Sequence, residues 1–330
     1  MAKDMTSGKP LKLIWNFTIP LLIGNLFQQL YNMADTFIVG RTIGVQALAA
    51  VGSTGSIVFL IIGFATGLTA GLAIPLAQRF GAKDYKGVKH SFYVSILISI
   101  AVAIVLTALS MIFCRQILEI MQTPSEIIDG AYDYLIVIFG GIFSSMAYNL
   151  LSNIFRSIGD AKTPLYFLVM ACVMNIILDI VFIAVFGMGV EGAGYATVLS
   201  QIFSAVACVV YIWKKIPVLR LTKEDLVATK RNIREHCRIS FPMAFQASII
   251  AIGTIMVQIA LNQLGPTSVA AHTAAQKIDQ LAILPMMSFG VTMATYSAQN
   301  FGAKKYDRIW LGVRECIKLS LTFAIVVGII

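Results

Sequence analysis

A chain of 330 residues that is 58% hydrophobic and only 12% charged, with a mean hydropathy of +0.82, falls far below the roughly 25% charged residues of soluble domains. That deficit, with repeated apolar runs of about 20 residues, excludes a soluble fold, and the absence of period-two alternation excludes a transmembrane β-barrel. The formal net charge of +9 would point to nucleic acid on a soluble chain. Here the basic residues sit in the connections between apolar runs, where they report membrane topology, and nucleic acid is excluded as a partner.

Nine hydrophobic segments follow in order, at about residues 13–39, 47–76, 91–113, 127–155, 164–186, 193–213, 239–261, 268–297 and 311–330. The first twelve residues are short and polar and carry no cleavable leader pattern. Twenty-one Lys and Arg lie on one side of this arrangement and only Arg41 and Arg115 on the other. The expected orientation therefore has the N-terminus in the cytoplasm. The longest basic stretch, residues 214–238, reads as a cytoplasmic linker. The five cysteines show no CxxC or zinc spacing and the three histidines are scattered, so no cofactor or structural metal is expected.

The first segment carries Asn25, Gln28, Asn32 and Asp35 at spacings of three, four and three, which put all four on one helical face. A carboxylate in mid-membrane costs about 2.5–3.5 kcal/mol on insertion scales and usually faces a cavity or an ion path. Other segments supply partners. The fourth has Tyr148 and Asn149, the fifth Asn175 and Asp179 one turn apart, and the sixth Thr197. With Tyr31, these offer enough oxygens for a small hard cation. Separate interhelical hydrogen bonds, about 0.6 kcal/mol each, are the bland alternative. Pro20 and Pro242 each delete a helix hydrogen bond inside the first span of a half, as a hinge or as a static kink.

The chain repeats itself. Ala77-Gln78-Arg79-Phe80-Gly81-Ala82-Lys83-Asp84-Tyr85 returns 221 residues later as Ala298-Gln299-Asn300-Phe301-Gly302-Ala303-Lys304-Lys305-Tyr306. Both copies end an even-numbered segment on the basic side, so the halves share one orientation. The expected fold is an all-α polytopic membrane protein, a two-lobed parallel six-helix repeat around a central cavity. Residues 1–213 form the first lobe, 214–238 the linker and 239–330 three helices of a second, incomplete lobe. A full repeat would add about three spans beyond Ile330.

In the eighth segment His272, Gln276 and Asp279 share a face beside Lys277; Gln246 and Gln258 in the seventh are weaker candidates for a cavity wall. A substrate cavity lined by Gln28, Asn32, Gln246, Gln276, Lys277 and Asp279 is expected, with a structural polar network as the rival for the eighth segment. Gly187-Met188-Gly189-Val190-Glu191-Gly192 matches G-x-G-x-x-G but joins two membrane segments, and a dinucleotide site needs a strand before it. A tight turn is the better reading.

The first-span pattern IPLLIGNLFQQLYNMADTFIVG, the repeated AQ-x-FGAK motif, the Asn175–Asp179 pair and the GAGYATVLSQ stretch resemble the multidrug and toxic compound extrusion (MATE) family. The similarity runs through essentially the whole chain. It implies twelve helices in two lobes around a V-shaped cavity and export of organic, often cationic, compounds in exchange for Na+ or H+. In the prokaryotic branch related to the DNA-damage-inducible transporters, the cation site carried over by motif falls on Asp35, Asn175, Asp179 and Thr197, beside Tyr31 and Asn149, and the bending proline on Pro20. The expectation is a monomeric antiporter of the bacterial inner membrane, not an enzyme, with small organic substrates. A lipid or lipid-linked oligosaccharide flippase is the alternative; it would show a strongly basic cavity.

Overall fold

The computed structural model describes the backbone of residues 3–263 and 266–329, and their side chains except at 45, 255, 258–274, 276–281 and 327–329. The helices are α1 (Pro10–Thr42), α2 (Val45–Gly81), α3 (Tyr85–Ile112), α4 (Cys114–Ile120), α5 (Ile128–Gly140), α6 (Ile142–Ser157), α7 (Lys162–Asp179), α8 (Val190–Lys215), α9 (Lys230–Gln263), α10 (Pro266–Gly302) and α11 (Tyr306–Ile329). Helix thus stands at each of the nine apolar segments. Among the described residues, α1, α2, α3, α7 with its extension and α8 are long and apolar enough to cross a bilayer, and the α5–α6 pair makes a sixth such span.

Three local features depart from the sequence expectation. Residues 127–155 do not form one straight helix: α5 and α6 meet at a bend of 48°. Gly141 sits at that break, where any β-carbon would collide with Val198 of α8, so close helix approach sets the position. The short helix α4 lies between the third and fourth segments, where none was expected. The linker is also shorter than residues 214–238, because α9 already begins at Lys230.

Local chemistry explains the helix ends. Pro10 occupies the first turn of α1, where its missing N–H costs nothing. Asp84 caps α3 by accepting from the Gly87 N–H at 2.9 Å. The two repeated motifs end α2 and α10 in the same way. Lys83 and Lys304 both take left-handed backbone, at φ 60° and 57°. Lys83 donates to Phe80 O and Asp84 to Arg79 O, each at 3.0 Å; Lys304 donates to Phe301 O at 3.0 Å and Lys305 to Asn300 O at 2.9 Å. This paired pattern is a Schellman termination. The sequence repeat is therefore a repeat of geometry.

The largest buried cluster joins α2, α3, α5, α6 and α8 through residues such as Leu72, Phe139 and Phe155. A second cluster joins Leu13, Ile14 and Phe17 of α1 to Phe289 and Tyr296 of α10 and Cys316 of α11. Helix α1 also packs against α7, and α2 against α9. The two halves consequently meet along α1–α10 and α2–α9.

The linker folds back as two 3-10 turns, Pro217–Leu219 and Lys223–Asp225. Asp225 fastens it. Its carboxylate accepts from the Thr222 hydroxyl at 2.6 Å, the Thr222 N–H at 2.9 Å and Lys89 of α3 at 3.2 Å. These donors, the Thr222 hydroxyl first, hold the carboxyl down at about 2. An unfolded Asp titrates near 3.9, so this anchoring is fully present above about pH 4 and is lost as pH falls through 2. At neutral pH, Asp225→Asn is expected to release the anchor, seen as faster trypsin cleavage after Lys223.

Candidate functional site

Asp179 is the last residue of α7, and the chain continues as a π-helical turn, Ile180–Val185. Such turns widen the helix and recur at functional sites. Asn175 and Asp179 are both wholly buried. Asp35, from the C-terminal half of α1, is half-buried, and its carboxyl lies within hydrogen-bond reach of Asp179. The two carboxylates that the sequence placed in separate segments face each other.

The oxygens around them are under-supplied with donors. Asp179 Oδ1 and Oδ2, Asp35 Oδ1 and Asn175 Oδ1 are buried without a donor among the described residues. Asn175 Nδ2 donates to Thr197 Oγ1 at 3.3 Å, and that hydroxyl meets the Tyr31 hydroxyl at 3.1 Å. These contacts occupy the amide nitrogen, while its oxygen has no donor among the described residues. Two carboxylates in one buried place repel, so a proton or a cation is needed to hold them together. An acceptor-rich cluster of carboxylate, amide and hydroxyl oxygens fits a small hard cation.

Tyr134 of α5 also stands close enough to Asp35 and Asp179 to feel their charge. Sequence reasoning missed it. Within the apolar segment at 127–155 the polar pair Tyr148 and Asn149 stands in the second half, whereas Tyr134 is in the first. Tyr134 lies before the bend, on α5, and Asn149 fifteen residues along, on α6. Asn149 donates to the Ser145 carbonyl of its own helix at 2.9 Å.

Asn149 instead lines a cavity of about 220 Å³ between α1, α6, α7 and α8, together with Pro20, Gln28, Tyr31, Tyr148 and Arg156. Neither aspartate lines it, yet Tyr31 both lines the cavity and meets Thr197, the hydroxyl that accepts from Asn175. Helix α1 runs unbroken through Pro20, which is buried. Asn32 is exposed, with a contact to Gln29 Oε1 at 3.5 Å, and Gln246 is exposed on α9. The side chains of Gln258, His272, Gln276, Lys277 and Asp279 lie outside the described residues.

The halves are joined by a polar ladder rising from the motif end. Met5 N–H donates to Gln299 Oε1 at 2.9 Å, Thr18 and Thr292 hydroxyls meet at 2.8 Å, and Asn25 Nδ2 donates to Ser288 Oγ at 3.0 Å. Asn25 lines the polar cavity, as its helical face suggests, and also makes this inter-half contact. The repeated motifs press on each other at the foot of this ladder. A β-carbon on Gly81 would collide with the Gln299 carbonyl, and one on Gly302 with the Gln78 carbonyl. The N-terminal segment straps the same corner: Arg308 and Lys305 donate to Gly8 O at 3.0 Å and Thr6 O at 2.9 Å.

The MatE family model matches residues 20–181 and 242–330. The chain is 30% identical over 314 residues to a probable multidrug resistance protein, YpnP, of Bacillus subtilis, covering 93% of this chain and 69% of that protein. It is 28% identical over 335 residues to a second probable multidrug resistance protein of Bacillus subtilis, YoeA, covering 98% and 72%. The fold superposes with a TM-score of 0.92, at 26% identity, on the outward-facing conformation of a multidrug resistance MATE family transporter of the MOP superfamily, covering 98% of this chain and 72% of that one. With family match, relatives and apolar helical fold in agreement, the chain belongs to the MatE family, whose members are membrane transporters and not enzymes.

Proposed function

We propose that this protein is a secondary antiporter that exports organic, mainly cationic, compounds in exchange for Na+ or H+ across a bacterial inner membrane, with its N-terminus in the cytoplasm. The facing Asp35 and Asp179 carboxyls, with donor-free oxygens around them, carry the reading. Relatives described as probable multidrug resistance proteins support the substrate class.

The coupling ion enters from outside and binds at Asp35 and Asp179, with Asn175 and Thr197 completing the oxygen set. It neutralises the repulsion between the carboxylates. Tyr31 bridges the ion site to the cavity that holds substrate, so ion binding and substrate binding compete through α1. Pro20 lacks the N–H that would tie it to the preceding turn, which lets the lower part of α1 bend during the exchange. The halves then rock about the α1–α10 and α2–α9 seams, the alternation of access expected of a parallel repeat.

The test is ethidium efflux from an efflux-deficient bacterium under an imposed Na+ gradient and, separately, an imposed pH gradient. Efflux driven by either gradient supports the antiporter, and the effective gradient names the ion. No efflux under either favours the flippase, and lipid-linked precursors become the substrates to try. That rival needs a basic cluster for a pyrophosphate head group; among the described residues the cavity wall carries one cationic side chain, Arg156.

A milder change tests the bridge. Tyr31→Phe deletes its hydroxyl contact to Thr197, worth about 1 kcal/mol. The ion concentration for half-maximal efflux is expected to rise by about fivefold, with the maximal rate retained. An unchanged half-maximal concentration would remove Tyr31 from the coupling path.

A further inference from the structure

A second cavity, of about 370 Å³, lies on the outer flank of the first half, away from the aspartates and the polar cavity. It is bounded by Phe92 and Ala103 of α3, Phe143 and Leu151 of α6 and Trp213 of α8, and closed at one end by Arg220 in the linker. Apart from the Ser99 hydroxyl its walls are otherwise apolar. Along α3 it spans Phe92 to Ala103, eleven residues, or about 16 Å of helix. That matches one leaflet of a hydrocarbon core about 30 Å thick.

The linker builds the closed end. Ile216 and Leu219 are buried beneath α3 and α8, and the Lys89–Asp225 contact pins the turns in place. Arg220 donates to the Lys214 carbonyl at 3.2 Å and has no acidic partner among the described residues. Lys214, Lys215 and Lys223 surround it in sequence. Trp213, 67% exposed, stands at the rim, where indole rings favour the boundary between tails and head groups.

We propose that this groove is a binding site for an anionic glycerophospholipid of the cytoplasmic leaflet, with one acyl chain between α3, α6 and α8 and the phosphate on Arg220. The leaflet rests on the orientation proposed above; the binding itself does not. Charge complementarity selects the occupant: an apolar slot one leaflet deep ends, in a basic stretch, on a guanidinium with no acidic partner among the described residues. A zwitterionic lipid fills the slot equally but gains nothing from the surrounding cations. The occupied groove ties the linker between the two halves to the flank of the first.

The experiment uses the full chain in vesicles, with Trp15→Phe and Trp310→Phe leaving Trp213 as the fluorophore. Quenching is compared between chain-brominated phosphatidylglycerol and chain-brominated phosphatidylcholine at equal mole fraction. Stronger quenching by the anionic lipid is expected. Arg220→Gln, on an exposed side chain, is expected to lower that preference by about fivefold, the worth of one basic group at an anionic bilayer surface. Ala147→Phe, filling the slot, is expected to weaken quenching by both lipids; Ile100→Phe at the rim replaces it if the first fails to fold. Equal quenching by the two lipids overturns the proposal. So does a preference that Arg220→Gln lowers but neither filling variant affects, since that is surface attraction without a groove. No transport is measured, so failure here leaves the antiporter reading untouched, and failure of gradient-driven efflux leaves this result standing.

Discussion

Asp179→Asn is expected to abolish gradient-driven ethidium efflux while leaving the protein in the membrane at its normal abundance. Asp179 is wholly buried at the end of α7, and its partner across the gap is the carboxyl of Asp35. An amide at this position has the same shape and offers two N–H donors. One of them reaches the Asp35 carboxylate and does what a proton or cation would otherwise do. The pair is then satisfied without an ion, and folding gains while coupling is lost. Losing one of the two carboxylates from the ion's oxygen set is expected to cost more than a hundredfold in ion affinity, about 3 kcal/mol. Asp35→Asn is expected to act in the same way, and the double variant to be no worse than either single one, because both act on one binding event. Efflux at the wild-type rate in Asp179→Asn would remove the carboxylate pair from the mechanism.

The second large effect lies at the opposite end of the molecule. Gly81→Leu, or Gly302→Leu, is expected to stop transport although neither residue touches the ion site or the cavity. Each glycine receives the backbone of the other motif where a β-carbon would stand, Gly81 the Gln299 carbonyl and Gly302 the Gln78 carbonyl. The contact is between backbones, so no rotamer change relieves the clash. The two helix ends must part, and the Met5–Gln299 and Thr18–Thr292 rungs part with them. The equilibrium is pushed toward a state open at the motif end, and a transporter held in one state does not cycle. Thr295 lines the seam between the halves, beside Ala77 and Asn153. Labelling of Thr295→Cys by a maleimide added to the face that bears the repeated motifs, followed by peptide mass spectrometry, is expected to be faster in the Gly81→Leu background. Unchanged labelling with normal efflux would show that the seam tolerates separation.

Both predictions begin from features visible in the sequence, but not equally visible. The apolar runs were sufficient for the helical class, and the motif repeated at an offset of 221 for the matching ends of α2 and α10. These are local or periodic signals: twenty apolar residues have few other stable environments, and a repeated motif builds a repeated helix end. The mid-membrane aspartates were also legible, because an uncompensated carboxylate in an apolar run is costly enough to need a reason.

What the sequence left undecided are relations between helices. That Gly81 and Gly302 pack on each other's motif depends on how two halves dock, which neither copy encodes alone. Asn25 shares a helical face with Asp35, yet it bonds Ser288 of α10, because the neighbour differs at each height of the seam. Tyr134 stands near the carboxylates and Asn149 lines the cavity on either side of a 48° bend at Gly141, where Val198 of a distant helix leaves no room for a β-carbon. Periodicity assigns a residue to a face of its own helix. Only tertiary packing decides what that face meets, because the contact energy belongs to pairs of helices far apart in the chain.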